Sequence, residues 1–389
     1  MRTLVIGGGI AGTATALGLR RAGLDVEVYE SRPDAARDIG AFLTLASNGM
    51  RALTQLDAAG AVGRAGYPLT SMRVLDDGGA EIAHVPLGEA ADPVLRYRCL
   101  RRGELSAVLR AEAVRRGVPV RHGARLTGVE QGPDGVTARF ADGTTATGDL
   151  LIGADGLRSA VREALDPGVR PVHAGQRVFY GYTDTAPAAP GDALITMVRG
   201  STAAFGYAVS PGGETSWFAR VPGGPGAGAG AGEDTAADRR ELLLGLLRQD
   251  RTPAAGLVEA TTGELMVTDA TEIPIGTRWR HGRVLLVGDA AHAASPATGQ
   301  GASMALEDAV VLAKCLRDAP GTEAALVRYE ALRRPRVEHN VTASGALSRG
   351  GAPGARRDGP PPPRPGEADL VRHLDWTTDL WETTDDTGA

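Results

Sequence analysis

Leu4-Val5-Ile6-Gly7-Gly8-Gly9-Ile10-Ala11-Gly12, near the start of the chain, decides the fold. An apolar segment suited to a short buried strand runs straight into G-x-G-x-x-G, and Ile10–Arg21 continues with helical spacing. In such a turn Gly7 permits the tight reversal, Gly9 lets the backbone approach a pyrophosphate, and Gly12 lets helix and strand pack closely. The helix N-terminus offers unpaired N–H groups and a positive dipole end to the phosphates. Asp25–Tyr29 alternates as a second strand, and Glu30 at its end places a carboxylate where ribose hydroxyls would lie. Strand, helix, strand and acid together specify a dinucleotide-binding β-α-β unit, without choosing between NAD and FAD. Arg2 with the apolar run Thr3–Leu19 also imitates a secretory leader. The nucleotide reading accounts for the glycines and for Glu30, so a cytoplasmic protein is expected.

Composition narrows the remaining classes. At 389 residues the chain is long enough for two to three structural units, and 42% hydrophobic content excludes a disordered one. Glycine (54) and proline (24) make about one residue in five, which predicts many loops. The formal charge is −5, Lys314 is the only lysine and the arginines are dispersed, so no nucleic-acid partner is expected. Cys99 and Cys315 make neither a disulfide framework nor a metal cluster, and no metal site is expected. No apolar run approaches the roughly 18 residues of a membrane span.

Further along, residues 47–59 and 103–116 read as helices, and Met72–Leu75 and Ile82–Val85 flank the hairpin signal Asp77-Gly78. Leu126–Glu130, Val136–Phe140 and Thr144–Thr147 form a meander that delivers the buried strand Leu150–Ile152. The middle of the chain changes character. Val178–Thr183, Leu194–Val198, Ala203–Ser210 and Ser216–Val221 read as an antiparallel sheet. A Gly/Ala linker (Gly223–Gly232) and an apolar helix (Arg239–Leu247) follow. Nucleotide-domain grammar returns with the strand Arg283–Val287 and a helix from about Ser303 to Leu316. The tail carries the proline run Pro360–Pro363, expected as an extended spacer, before a short helix re-docks through Leu370, Leu374, Leu380 and Trp381.

Two later stretches carry chemistry. Gly153-Ala154-Asp155-Gly156-Leu157-Arg158-Ser159-Ala160-Val161-Arg162 is a polar turn at a strand end. Gly288-Asp289-Ala290-Ala291-His292-Ala293-Ala294-Ser295-Pro296-Ala297-Thr298-Gly299-Gln300-Gly301 is another, ending at a helix N-terminus. The second puts a carboxylate and a glycine-flanked nest of backbone donors together, a combination able to hold a sugar-alcohol chain and an electron-rich ring edge.

With these three motifs in this order, the chain resembles the class A flavoprotein monooxygenases, the para-hydroxybenzoate hydroxylase-like family, over most of residues 1–340. The resemblance implies an α/β fold: a discontinuous Rossmann-type FAD-binding domain (1–71, 98–175 and 276–340) and an interposed antiparallel substrate-binding sheet (72–97 and 176–275). Residues 341–389 are then a Pro/Gly-rich linker and a short C-terminal helix. It implies FAD as cofactor and NAD(P)H as cosubstrate. Glu30 matches the acid on the adenosine ribose, Arg102 of Arg102-Gly103-Glu104-Leu105 an FAD-contacting arginine, and Asp289 the acid on the ribityl chain. Asp155 matches an aspartate serving FAD and transient NAD(P)H binding, and Pro296 lines the catalytic face of the flavin. With Gly7, Gly9, Gly12, Gly299 and Gly301 these form the expected cofactor site. The chain also departs from the pattern: Phe42 stands for a glycine and Ser47 for a proline near the isoalloxazine position.

Seven of the 16 aromatic residues fall between positions 179 and 218. Alternation puts Tyr180 and Tyr182 on one face and Phe205 and Tyr207 on another. Tyr182, Tyr207 and Trp217 are the expected lining of a pocket for a planar aromatic molecule, with Tyr182, Asp184 and Tyr207 as candidate bases on position alone. The function this implies is O2- and NAD(P)H-consuming hydroxylation of a phenolic or polycyclic aromatic substrate, through a flavin C4a-hydroperoxide. Epoxidation or Baeyer–Villiger oxidation on the same scaffold is the alternative. A flavin-dependent reductase, a halogenase or a non-catalytic flavoprotein ranks below. His292, inside the last motif, is expected to anchor structure rather than act as a base.

Overall fold

A computed structural model describes residues 1–33, 41–224, 235–350 and 369–381. The fingerprint folds as its spacing requires: strand Arg2–Ile6, helix Ile10–Arg21, strand Asp25–Tyr29. Arg2–Ile6 runs parallel between Asp25–Tyr29 and Leu150–Gly153, and Val284–Leu286 lies parallel beyond the latter. The six-stranded sheet is thus collected from segments far apart in sequence. Its central strands are apolar on both faces, with Leu4, Val5, Leu150, Leu151, Ile152, Leu285 and Leu286 all buried, because both faces are covered. Helices Ile10–Arg21 and Gly301–Asp318 pack against each other. Gly18 makes that approach feasible, since a Cβ there would lie 2.9 Å from the carbonyl oxygen of Ala309. The meander Leu126–Gly132, Gly135–Phe140 and Thr145–Gly148 joins the same core, Phe140 stacking on Tyr29 at 4.8 Å between ring centroids.

The second sheet has seven strands. Met266–Glu272, Val172–Thr183, Thr215–Pro222, Ala204–Val209 and Leu194–Arg199 are followed by Ser71–Leu75 and Glu81–Pro86. The expected antiparallel sheet is in fact mixed, because Leu194–Arg199 pairs parallel with Ser71–Leu75. Those two strands are separated by more than a hundred residues, so no hairpin dictates their direction. Helices Ala236–Leu247 and Ala254–Ala260 cover one face of this sheet, and the other face looks toward the first domain.

The C-terminal region differs most from the sequence reading. Helix Thr322–Ser348 runs unbroken through position 341, where a linker was expected, and carries Pro335 in its interior. Its buried side is mixed: Ala325, Leu326, Tyr329, Val337 and Val341 alternate with Arg333, Arg336, Asn340, Ser344 and Ser348. Helix Leu370–Leu374 re-docks through Leu370, Leu374 and Leu380 as expected, but Trp381 is 40% exposed. Trp376 docks in its place, with the guanidinium groups of Arg21 and Arg317 4.5 and 5.0 Å from its ring centre. Lys314 secures the segment by donating to the carbonyls of Arg372, His373 and Asp375. The proline run and Gly226–Gly232 lie outside the described residues. Among the described residues no helix is long and apolar enough to cross a membrane.

Candidate active site

A single cavity of about 790 Å³ runs from Glu30 and Arg32, past the fingerprint and both later motifs, to the face of the seven-stranded sheet. Its dinucleotide end is shaped by glycines whose roles separate cleanly. Gly7 has φ +105°, and a Cβ there would sit 2.4 Å from the carbonyl oxygen of Ala154. A Cβ on Gly12 would lie 1.9 Å from the Gly7 carbonyl oxygen, whereas nothing lies within 4 Å of one on Gly9. Gly9 therefore opens onto the cavity, leaving the room a pyrophosphate needs.

Two acids of this end, Glu30 and Asp155, are held in place by backbone donors. Glu30 accepts from the amides of Gly8 at 2.7 Å and Arg32 at 2.8 Å, fixing its carboxylate at the lip. Asp155 accepts from the Ala160 and Val161 amides and from the Ser159 hydroxyl, although burial pushes its carboxyl above the ordinary range. Arg162, buried behind it, donates to the carbonyls of Leu157 and Ala290 and so ties the two motif loops together. Asp289 projects into the cavity 3.6 Å from the Arg102 guanidinium.

Beneath the Gly288–Gly301 loop lies a buried ionic network that the sequence reading missed. Asp308 accepts from the Gly288 amide at 3.0 Å and pairs with His292 at 2.6 Å. This gives His292 the anchoring role expected of it. Arg333 bridges Asp308 and Glu307, and Arg336 adds two bonds to Glu307; burial raises both carboxylates, but Arg333 and Arg336 at Glu307, and His292 and Arg333 at Asp308, outweigh it and leave both below the usual range. Asn48 donates to Glu307 at 2.6 Å and to Gln300 at 3.0 Å, joining the strand-end segment after Phe42 to the same network. Farther along, the Ser344 hydroxyl donates to the Ser295 carbonyl at 2.5 Å and accepts from the Thr298 amide at 3.2 Å. It thereby holds both shoulders of the turn that presents Pro296 and Gly299, the latter left-handed at φ +66°. Gly301 opens onto the cavity.

At the sheet end the lining is apolar and aromatic: Val178, Tyr180, Ile195, Met197 and Phe218, with Phe42 opposite. Phe42 packs edge-on to Tyr180 at 6.5 Å and tilted to Phe218 at 6.0 Å, so the residue standing for a glycine narrows this end. The expected pocket residues Tyr207 and Trp217 do not line it. They sit on the opposite face, 2% and 0% exposed, in the core beneath helices Ala236–Leu247 and Ala254–Ala260. Trp217 stacks on Phe205 and donates its indole N–H to Thr261 at 2.9 Å. The reason is register: alternation correctly separated the two aromatic faces, but both are covered, and helices cover the one that carries Trp217. Tyr182 shares the Tyr180 face but lies outside the cavity lining, 4.1 Å beneath the Arg101 guanidinium, its hydroxyl pushed up to about 12 by burial. Asp184 is exposed and outside the lining.

Arg220 is the polar feature of this end, and it too was missed. It shares the Phe218 face of its strand, two residues on, so alternation contained the signal. Its guanidinium lies 5.4 Å from the Phe218 ring centre and donates to the Ala297 carbonyl at 3.2 Å, while its Nε is buried without a partner. Burial lowers its pKa from the usual arginine value. No carboxylate pairs with it among the described residues.

Comparison with known proteins agrees with this geometry. The chain matches the FAD binding domain family over residues 1–344. Aurachin C monooxygenase/isomerase of Stigmatella aurantiaca is 36% identical over 347 residues, spanning 88% of each chain. A FAD-dependent urate hydroxylase of Klebsiella pneumoniae is 33% identical over 358 residues, again spanning 88% of each. The crystal structure of Klebsiella pneumoniae HpxO complexed with FAD and uric acid superposes with a TM-score of 0.81 at 30% identity, over 90% of both chains. The open approach at Gly9 and the carboxylates of Glu30 and Asp289 on the cavity wall fit FAD, and the chain belongs to the FAD-dependent class A flavoprotein monooxygenases.

Proposed function

We propose that the protein oxygenates a small planar aromatic or heteroaromatic molecule held between the Pro296 turn and the Tyr180–Phe218 sheet face. The observation that carries this is continuity: one cavity joins the dinucleotide cleft to an aromatic-walled end where, among the described residues, the one cationic side chain is the half-buried Arg220. Bound FAD supplies hydride acceptance from NAD(P)H and activation of O2. The chain supplies binding, orientation and exclusion of water.

Each part of that work falls to named residues. Glu30 and the Gly7–Gly12 turn hold the adenosine and phosphates, and Asp289 with Arg102 flanks the path toward the ring. Phe42, Tyr180 and Phe218 form a slot suited to a flat ring. Arg220 favours a substrate carrying a hydrogen-bond acceptor, and the anionic form of an ionisable one, because its charge is desolvated and unpaired. Among the described lining residues no imidazole or carboxylate accompanies Arg220 there, so the support is electrostatic. Urate, 3-amino-4-hydroxybenzoate and kynurenine, named as substrates of relatives, share this chemistry of a flat ring bearing acceptors.

A panel of hydroxybenzoates, quinolones and purines, screened for stimulated NAD(P)H oxidation, tests the reading. The expected result is oxygen uptake matched by a product heavier by one oxygen atom. Stimulated oxidation that yields only hydrogen peroxide with every member of the panel would count against it.

A further inference from the structure

The apolar wall of the ring slot does not end at Phe218. Beyond strand Thr215–Pro222 the sheet continues through Ala204–Val209, Leu194–Arg199 and Ser71–Leu75. Gly206, on the first of these, pairs with Phe218. A Cβ there would lie 2.5 Å from the Phe218 ring and 2.9 Å from the Met197 sulfur, so the two side chains meet over the glycine and carry the apolar floor onward. Ile195 shares the face of Met197, and Met72 is its direct partner on the next strand. Leu87 and the ring of Tyr97, from outside these strands, complete the lining. We infer that this stretch is a binding arm for an aliphatic chain, so that the substrate is a ring bearing a lipophilic substituent; this rests on the ring-oxygenation reading above and extends it.

The chemistry of the arm is set by what is turned toward it and what is turned away. Met72, Leu87, Tyr97 and Met197 are half-buried, and the cavity they line is where apolar surface is left for a ligand to cover. Three arginines adjoin the arm, and their bonds lie elsewhere. Arg73, next to Met72, donates to the Thr196 hydroxyl at 3.2 Å on the other face of the sheet. Arg96 and Arg98, flanking Tyr97, donate to the carbonyls of Ala90 and Pro93 at 2.8 and 2.9 Å. Strand Ser71–Leu75 is paired on both sides, so its backbone is already satisfied. A polar substituent entering here would give up water for apolar walls.

A flexible chain fits better than a further ring. The slot at Phe42, Tyr180 and Phe218 is walled by stiff aromatic groups, whereas Met72, Met197 and Leu87 adapt by rotating several bonds. Three strand spacings separate Thr215–Pro222 from Ser71–Leu75, about 14 Å, which is room for a chain of several carbons. Leu87 is fixed by its amide, which donates to the Thr70 carbonyl at 2.9 Å, and by the Glu89 amide on the Ser47 hydroxyl at 3.0 Å. Ser47, standing where the family has a proline, thus helps to seat the cover of the arm.

The test titrates FAD-loaded protein with a hydroxybenzoate and a quinolone, each bare and with an ethyl, butyl or octyl chain on the ring, and reads binding from the flavin spectrum. Kd should fall about three- to fourfold per methylene, on the order of a hundredfold from bare to butyl, and level off once the arm is full. Met72→Gln and Leu87→Gln should each cut the butyl-to-bare ratio about tenfold, because an amide then faces the chain. Met72→Leu, which keeps the wall apolar, should retain the ratio. The ratio is taken on molecules that hold flavin, so lost stability does not enter it. Equal affinity across both series overturns the arm and leaves the ring reading standing. A ratio unchanged in both glutamine variants overturns the assignment to this stretch. If every compound, bare or alkylated, neither perturbs the flavin spectrum nor stimulates NAD(P)H oxidation, the oxygenation reading falls and the arm falls with it.

Discussion

Trp217 and Phe218 are neighbours on one strand, and their truncation should have opposite consequences. Trp217 is fully buried under the two covering helices, where it stacks on Phe205. Removing so large a side chain leaves a cavity the surroundings cannot close, costing about 3–5 kcal/mol. Its lost indole hydrogen bond adds little, because Thr261 keeps its own bond to the Leu257 carbonyl. At about 2–4 °C per kcal/mol for a large chain, Trp217→Ala should melt roughly 6–20 °C lower. The molecules that remain folded should couple NAD(P)H oxidation to product as the parent does, since nothing in the cavity wall has changed. Phe218→Ala removes part of that wall instead. A loosely held ring loses its reactive position, and small misplacements cost as much as ~10²-fold in rate, so peroxide should replace product while the melting point falls far less. Melting, flavin occupancy, peroxide and product are measured on each variant. Uncoupling by Trp217→Ala at an unchanged melting temperature would refute the assignment of faces.

Other variants probe the cofactor end and the tail. Glu30→Gln should weaken FAD binding roughly ten- to a hundred-fold by losing charge-assisted bonds, read by flavin titration of apoprotein. Ser344→Ala leaves the Ser295 carbonyl and the Thr298 amide without their partner, so stability should fall by about 1–3 kcal/mol, seen as a lower urea midpoint. Arg220→Met should keep FAD but abolish any preference for anionic over neutral substrate analogues in binding titrations. His373, held down to about 4 by burial, stays neutral in the folded protein and protonates near 6.5 when released. The released form then binds more protons between those values, so docking of residues 369–381 should weaken as pH falls from 6.5 to 4. Hydrogen exchange of that segment should show this, and His373→Leu should flatten it.

The sequence disclosed those features whose physics is local. Gly7, Gly9, Gly12 and Glu30 announce themselves because a nucleotide turn tolerates few alternatives, and Gly288–Gly301 repeats that logic. Helix Thr322–Ser348 stayed hidden because polar residues interrupt the face it buries: Arg333, Arg336, Asn340 and Ser344 serve the ionic network and the Ser295 turn, and break up the stripe of Leu326, Tyr329, Val337 and Val341. The aromatic faces were separable by period two, yet choosing between them requires knowing where helices Ala236–Leu247 and Ala254–Ala260 fall. That is long-range information which alternation does not contain.

The dispersed construction of the cofactor site also bears on how the protein is made. The turn at Gly7–Gly12 leaves the ribosome first, but Leu150–Gly153, Val284–Leu286 and the Ser344 prop follow much later. At roughly 5–20 residues per second, the interval between Gly12 and Ser344 is on the order of 15–70 s. A nascent chain in that interval has a phosphate turn whose neighbouring strands do not yet exist, so it has nothing with which to retain FAD. Mass-action stabilisation by the cofactor therefore reaches only completed chains. Cellular FAD should set how long finished molecules survive, and leave the yield of translation untouched.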